Sequence, residues 1–215
     1  MVDKQGGMLY TDSEISLQYE EGAEDVMEVN AKSNKSSIYV LAMTAVMAAV
    51  IAAVAPFSIP AWGEVSFTLC TFVLYLSPYI LGWKKAAIAT LVYIMLGMVG
   101  MPVFSNFRAG LGVLAGPTGG YILGYIPMVI IGGLMIKAFP KNRAIHLGGM
   151  IFATAVLYTL GTALFCAQTG STLEHALVVC VIPFIPFDLG KMVIATGLGP
   201  VLGERLAKAG IDPEG

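Results

Sequence analysis

Charge is scarce in this sequence: Asp, Glu, Lys and Arg supply 12% of its 215 residues, against roughly 25% in an ordinary soluble domain. Cysteine is scarcer still. Cys70, Cys166 and Cys180 stand apart in apolar surroundings, with no CxxC or Cys/His spacing, which argues against a metal site or a disulfide framework and assigns them to packing. No G-x-x-x-x-G-K-[ST] run is present, so the chain has no P-loop with which to hydrolyse ATP. It also lacks HExxH, Ser/Lys and paired-carboxylate arrangements placed for chemistry, which leaves an intramembrane enzyme as the weakest reading. No cofactor or metal is expected.

What fills the sequence instead is apolar: 57% of residues are hydrophobic and the mean hydropathy is +0.79. This composition specifies an integral membrane protein, and its long apolar runs specify an all-α one, since a helix satisfies its own backbone in lipid. The acids that exist are crowded. Asp3, Asp12, Glu14, Glu20, Glu21, Glu24, Asp25 and Glu28 all precede residue 31. Residues 1–36 therefore read as an acidic, disordered cytoplasmic tail, 37–207 as a six-helix membrane domain and 208–215 as a second cytoplasmic tail. A secretory leader is not expected, because its first segment would be basic.

Crossing about 30 Å of hydrocarbon takes around 20 apolar residues. On that rule the spans are Ile38 to Phe57, Val65 to Gly82, Ala86 to Met101, Thr118 to Ile136, Ile145 to Ala167 and Phe187 to Leu206. Leu173 to Ile182 is left as an interfacial or re-entrant segment. With the N-terminus inside, ten Lys and Arg side chains (Lys4, Lys32, Lys35, Lys84, Lys85, Lys137, Lys141, Arg143, Arg205 and Lys208) face the cytoplasm, and Arg108 alone faces outward. The positive-inside rule then predicts that both termini are cytoplasmic.

Three unusual segments meet on the external side in that topology. One is Gly116-Pro117-Thr118-Gly119-Gly120-Tyr121, a glycine turn that opens a helix; such a turn either lets a ligand approach the backbone or lets another helix pack closely. The connection Pro102 to Pro117 brings Asn106 and Arg108. The third is the head of the last span, with Asp188 and Lys191 three residues apart on one helix face. Charged groups at membrane depth are costly and usually functional. The pair is either a self-neutralising ion pair or a recognition pair, whose acceptor and donor suit a neutral group with N–H and C=O side by side, such as an amide or ureido head. Trp62, Phe104, Phe107, Tyr121, Phe184 and Phe187 are candidate walls. His146 reads as interfacial. Ala45, Ala49 and Ala53 repeat every fourth residue of the first span beside Ala48 and Ala52, a close-packing face for a helix of this chain or of another subunit.

Gly100-Met101-Pro102-Val103-Phe104, the run Gly116 to Tyr125 and Pro183-Phe184-Ile185-Pro186-Phe187-Asp188-Leu189-Gly190-Lys191 resemble the BioY family, the substrate-binding S components of energy-coupling-factor (ECF) biotin transporters. The resemblance covers about residues 38–206. It implies an ECF S-component fold that binds biotin as its transported ligand near the external surface. Asn106, Asp188 and Lys191 would contact the fused rings, and Gly119, Gly120 and Tyr121 would form backbone and wall around them. It also implies a coupling transmembrane subunit facing Ala45, Ala49 and Ala53, and two ABC-type ATPases to supply energy. The acidic tail lies outside the resemblance. An S component for a different small vitamin is the alternative expectation.

Overall fold

A computed structural model of the chain describes residues 38–60 and 66–209. The acidic tail, Trp62, Glu64 and the end of the C-terminal tail lie outside the described residues. Two units divide at Leu41, and of the first only the opening turn of helix α1 (Ile38–Val54) is described.

The second unit is mostly helical. Among the described residues four helices are long and apolar enough to cross a membrane: α2 (Cys70–Val99), α4 (Gly119–Ala138), α5 (Arg143–Thr169) and α7 (Ile185–Lys208). Two shorter ones, α3 (Leu111–Leu114) and α6 (Leu173–Cys180), and a 3₁₀ turn (Ser105–Phe107) join them. The fourth, fifth and last expected spans match α4, α5 and α7 within two residues at each end.

Helix α2 is broken at Gly82, whose φ of 71° and ψ of 164° only glycine adopts at low cost. The side chain of Tyr93 meets that of Cys70. In a straight helix those residues would lie about 35 Å apart, so the chain folds back at Gly82. This fold-back matches the boundary expected between the second and third spans.

The start of the second span was drawn too early. Ser66–Thr68 is not helical but a strand, β2, paired antiparallel with β1 (Ser58–Pro60) in the register Ser58↔Thr68, Ile59↔Phe67 and Pro60↔Ser66. Phe67 is flanked by the polar Ser66 and Thr68, and that alternation belongs to a strand. The hairpin is fastened by Asn106, whose Nδ2 donates to Ser66 Oγ at 3.0 Å and whose Oδ1 accepts from Ser58 Oγ at 3.2 Å. Asn106 and Phe107 hold left-handed φ values of 59° and 57°, a conformation that asparagine tolerates better than most residues.

Glycines set the packing of α4 on α5. A Cβ on Gly120 would lie 2.8 Å from the Leu160 carbonyl oxygen, and one on Gly124 would lie 2.7 Å from a Leu157 methyl. Small residues let membrane helices approach this closely, and such packing replaces the hydrophobic drive that lipid removes. Asn142 caps α5 by accepting from the Ala144 and Ile145 N–H groups, and Gly170 ends it in the left-handed conformation. On α1, Thr44, Met47, Ala48 and Ile51 are buried at helical spacing, while Ala45, Ala49 and Ala53 are exposed.

His146 corrects the interfacial expectation. It sits in the first turn of α5 at 1% exposure, with Nε2 2.9 Å from the Phe139 carbonyl oxygen and Nδ1 3.2 Å from the Tyr79 hydroxyl. The carbonyl is an acceptor, so Nε2 donates to it, and Nδ1 is paired with the Tyr79 hydroxyl.

Candidate ligand-binding site

The hairpin, the loop after α2 and the N-terminal ends of α4 and α7 enclose a cleft with two lobes. The first is lined by Ser66, Thr68, Phe104, Ser105, Arg108, Val113, Thr118, Tyr121, Ile122 and Tyr125. The second is lined by Ser66, Thr68, Thr71, Tyr121, Tyr125, Leu157, Tyr158, Cys180, Phe184, Asp188 and Lys191. Ser66, Thr68, Tyr121 and Tyr125 border both, so the two lobes adjoin. Such a mixture of apolar and aromatic wall with a few convergent polar groups is the chemistry of a small-molecule site.

The second lobe holds the charged pair. Lys191 Nζ lies 2.9 Å from Asp188 Oδ1, and the two side chains are 16% and 6% exposed. Asp188 sits in the first turn of α7, where the helix dipole favours a carboxylate, and an i,i+3 spacing brings Lys191 beside it. Neither group depends on the other alone. Lys191 also donates to the Thr68 carbonyl oxygen at 2.7 Å and to Thr71 Oγ1 at 2.9 Å. Asp188 Oδ1 accepts from Thr71 at 3.3 Å, and Oδ2 accepts from the Tyr158 hydroxyl at 2.7 Å. All three ammonium donors are engaged, so a ligand carbonyl reaches Lys191 only by taking the place of one of these partners. Below this network Tyr75 and Thr154 share a hydrogen bond of 2.8 Å that ties α2 to α5.

The structure brings some of the expected site residues together and separates others. Asp188, Lys191 and Tyr121 line the cleft, as do Phe104 and Phe184. Asn106 does not: it is exposed and engaged with Ser58 and Ser66, and it reaches the cleft only through Ser66. Gly119 and Gly120 do not line it either. Gly119 lies against the Leu114 backbone and Gly120 against α5, so these glycines position Tyr121 by close packing. Phe107 and Phe187 are each 58% exposed. Phe187 packs on Phe67, with ring centroids 4.7 Å apart.

Arg108 lines the first lobe and supplies its cationic group. Thr71, Tyr125 and Tyr158 were missed by the sequence reading. Tyr125 had a signal, since it follows Tyr121 by one helical turn, whereas Tyr158 had none that distinguishes it from other membrane tyrosines. Cys180, expected only to pack, lines the second lobe, and burial pushes its thiol pKa up. Among the described residues no group of three His, Cys, Asp or Glu side chains is placed to hold a metal ion.

The helix bundle has a solved counterpart. The fold is shared with the crystal structure of the S-component for biotin from an ECF-type ABC transporter, at a TM-score of 0.71 and 22% identity, over 81% of this chain and 94% of that one. The chain belongs to the BioY family, which matches residues 27–208. Among its relatives are the biotin transporter BioY of Thermotoga maritima, 38% identical over 133 residues (62% of this chain, 78% of the relative), and the biotin transporter BioY2 of Lactococcus lactis, 33% identical over 180 residues (80% and 94%).

Proposed function

We propose that this protein is the biotin-binding S component of an ECF transporter, capturing external biotin and delivering it to an ATP-driven module for uptake. Family membership supports the transport role, and the charged network in the two-lobed cleft is the observation that carries the ligand assignment. Biotin has a ureido ring at one end and a carboxylate at the other. The Asp188–Lys191 lobe offers acceptor and donor to the ureido group, and the Arg108 lobe offers a cation to the carboxylate, with Tyr121 and Tyr125 bordering both. The molecule is a binding subunit rather than an enzyme.

Counting the fold-back at Gly82 as two crossings and adding α1 gives six, with both termini cytoplasmic. That topology puts Lys84, Lys85, Lys137, Lys141, Arg143, Arg205 and Lys208 inside and the cleft outside. The exposed Ala45, Ala49 and Ala53 row of α1 faces the coupling transmembrane subunit, which works with two ABC-type ATPases. The buried Ala48 row packs within the chain.

Nanomolar capture requires about −12 kcal/mol of binding free energy, which calls for a buried ring system with its polar atoms paired. Equilibrium dialysis of the purified protein against labelled biotin, with a competing panel of vitamins, tests the reading. Saturable binding displaced by biotin alone is the expected result. Absence of binding, or displacement by another vitamin instead, overturns it.

A further inference from the structure

The network around Asp188 can be read for what it leaves open. A carboxylate has about four lone-pair positions. Lys191 and Thr71 fill two on Oδ1, and Tyr158 fills one on Oδ2. One position remains, on Oδ2, and the carboxylate lines the second lobe. The carboxyl torsion of aspartate is a broad well rather than a staggered one. Rotation about Cβ–Cγ moves both oxygens together, so the partners on Oδ1 and the partner on Oδ2 hold the carboxylate plane jointly. The partner on Oδ2 comes from α5, where the Tyr158 hydroxyl donates at 2.7 Å, the shortest bond at the network's carboxylate end, and takes one of that oxygen's lone-pair positions. Tyr158 borders the same lobe.

We propose that Tyr158 is a positioning residue for ligand capture: its hydroxyl, acting through Oδ2 of Asp188, sets the direction in which the carboxylate presents its last open acceptor position to a ligand N–H. The proposal rests on the cleft being the ligand site. It assigns α5 a part in recognition alongside α7, because the acceptor geometry is defined only when both helices are in place. Tyr158 acts on the ligand through Asp188, so its effect exists only while residue 188 is a carboxylate.

A double-mutant cycle tests this. Wild type, Tyr158→Phe, Asp188→Asn and the double variant are titrated with biotin by calorimetry or radioligand binding at high protein concentration. Tyr158→Phe keeps the ring and removes the hydroxyl, and a loss of about tenfold in affinity is expected, in keeping with one hydrogen bond to a charged group. In the Asp188→Asn background the same change is expected to alter affinity less than twofold. Tyr158→His, which keeps a ring N–H donor, should recover part of the loss in the wild-type background. An equal loss in both backgrounds shows that Tyr158 only packs, and overturns the proposal, as does an unchanged affinity in Tyr158→Phe. If Tyr158→Phe does not fold, judged by its ligand-free unfolding midpoint, Tyr158→His compared in the Asp188 and Asp188→Asn backgrounds decides the same question by the same criterion. Failure of wild type to bind biotin is a separate result, and it removes the ligand reading itself.

Discussion

Two buried polar networks sit at different levels of α5, one in its first turn and one near its middle, and they are built to different specifications. Near its start, His146 is sealed: Nε2 donates to the Phe139 carbonyl, Nδ1 is paired with the Tyr79 hydroxyl, and both ring nitrogens are occupied. Near its middle, Tyr158 joins Asp188, Thr71 and Lys191 in a cluster that borders a cleft and retains an open acceptor position. Both are tied to α2, the first through Tyr79 and the second through Thr71. Burial of polar groups therefore does not by itself mark function in this membrane fold. Unfilled hydrogen-bonding capacity beside a cavity does.

The sharpest way to break this contrast is to disarm the open network. Asp188→Asn or Lys191→Met leaves one member of a buried ion pair without its partner, a change that typically costs about 3–5 kcal/mol. Biotin affinity should fall on the order of 100-fold or more in each variant, read by equilibrium dialysis. Wild-type affinity in both would return the pair to the self-neutralising role that its i,i+3 spacing also allows.

Disarming the sealed network should do the reverse. His146→Leu keeps most of the volume while stranding the Tyr79 hydroxyl and the Phe139 carbonyl, each at a cost of about 1–3 kcal/mol. A clear drop in the thermal unfolding midpoint is expected, with biotin affinity within about threefold of wild type. A tenfold loss of affinity without a loss of stability would mean that the two networks are coupled and the contrast is misdrawn.

The close packing of α4 on α5 gives an intermediate effect. In Gly120→Ala the new Cβ meets the Leu160 carbonyl oxygen and Leu164 Cβ, each at 2.8 Å, so α4 must shift from α5. Overpacking of this kind costs about 1–3 kcal/mol, and Tyr121 moves with the backbone, so affinity should fall as well. Gly112→Ala is the control: nothing lies within 4 Å of its new Cβ, and both stability and affinity should be close to unchanged. Equal behaviour of the two variants would show that the close approach at Gly120 is not what positions Tyr121.

How much of this could be read beforehand differs from element to element for physical reasons. Long apolar runs gave α4, α5 and α7, because in lipid the helix boundary follows hydropathy. The pair Asp188 and Lys191 was legible because charge at membrane depth is rare. Ser66–Thr68 was lost because a hydropathy window averages over a three-residue strand. Asn106 was assigned to the ligand by the family resemblance, and no pattern in the sequence announced its left-handed backbone or the two serine contacts by which it also clasps the hairpin. Gly119 and Gly120 carried both a ligand reading and a packing reading, and only the positions of Leu114 and Leu160 choose between them. Thr71 and Tyr158 are long-range partners of Asp188, 117 and 30 residues away. No local pattern encodes such pairings.

The smallest effect separates the cleft from the rest of the interior without altering the binding residues. Cys180 lines the lobe that holds Asp188, whereas Cys166 does not line either lobe. Only a thiolate reacts with a thiosulfonate reagent, and burial raises the Cys180 pKa above its ordinary value of 9.0. Modification should therefore be slow at neutral pH and accelerate as the pH rises toward 9 without levelling off, because the thiolate fraction is still growing there. Saturating biotin fills the lobe and should slow methyl methanethiosulfonate labelling of Cys180 severalfold, measured by peptide mass spectrometry, while labelling of Cys166 in the same sample is unchanged. Equal protection of both cysteines would point to general tightening of the bundle, and no protection of Cys180 would place bound biotin outside the Asp188 lobe.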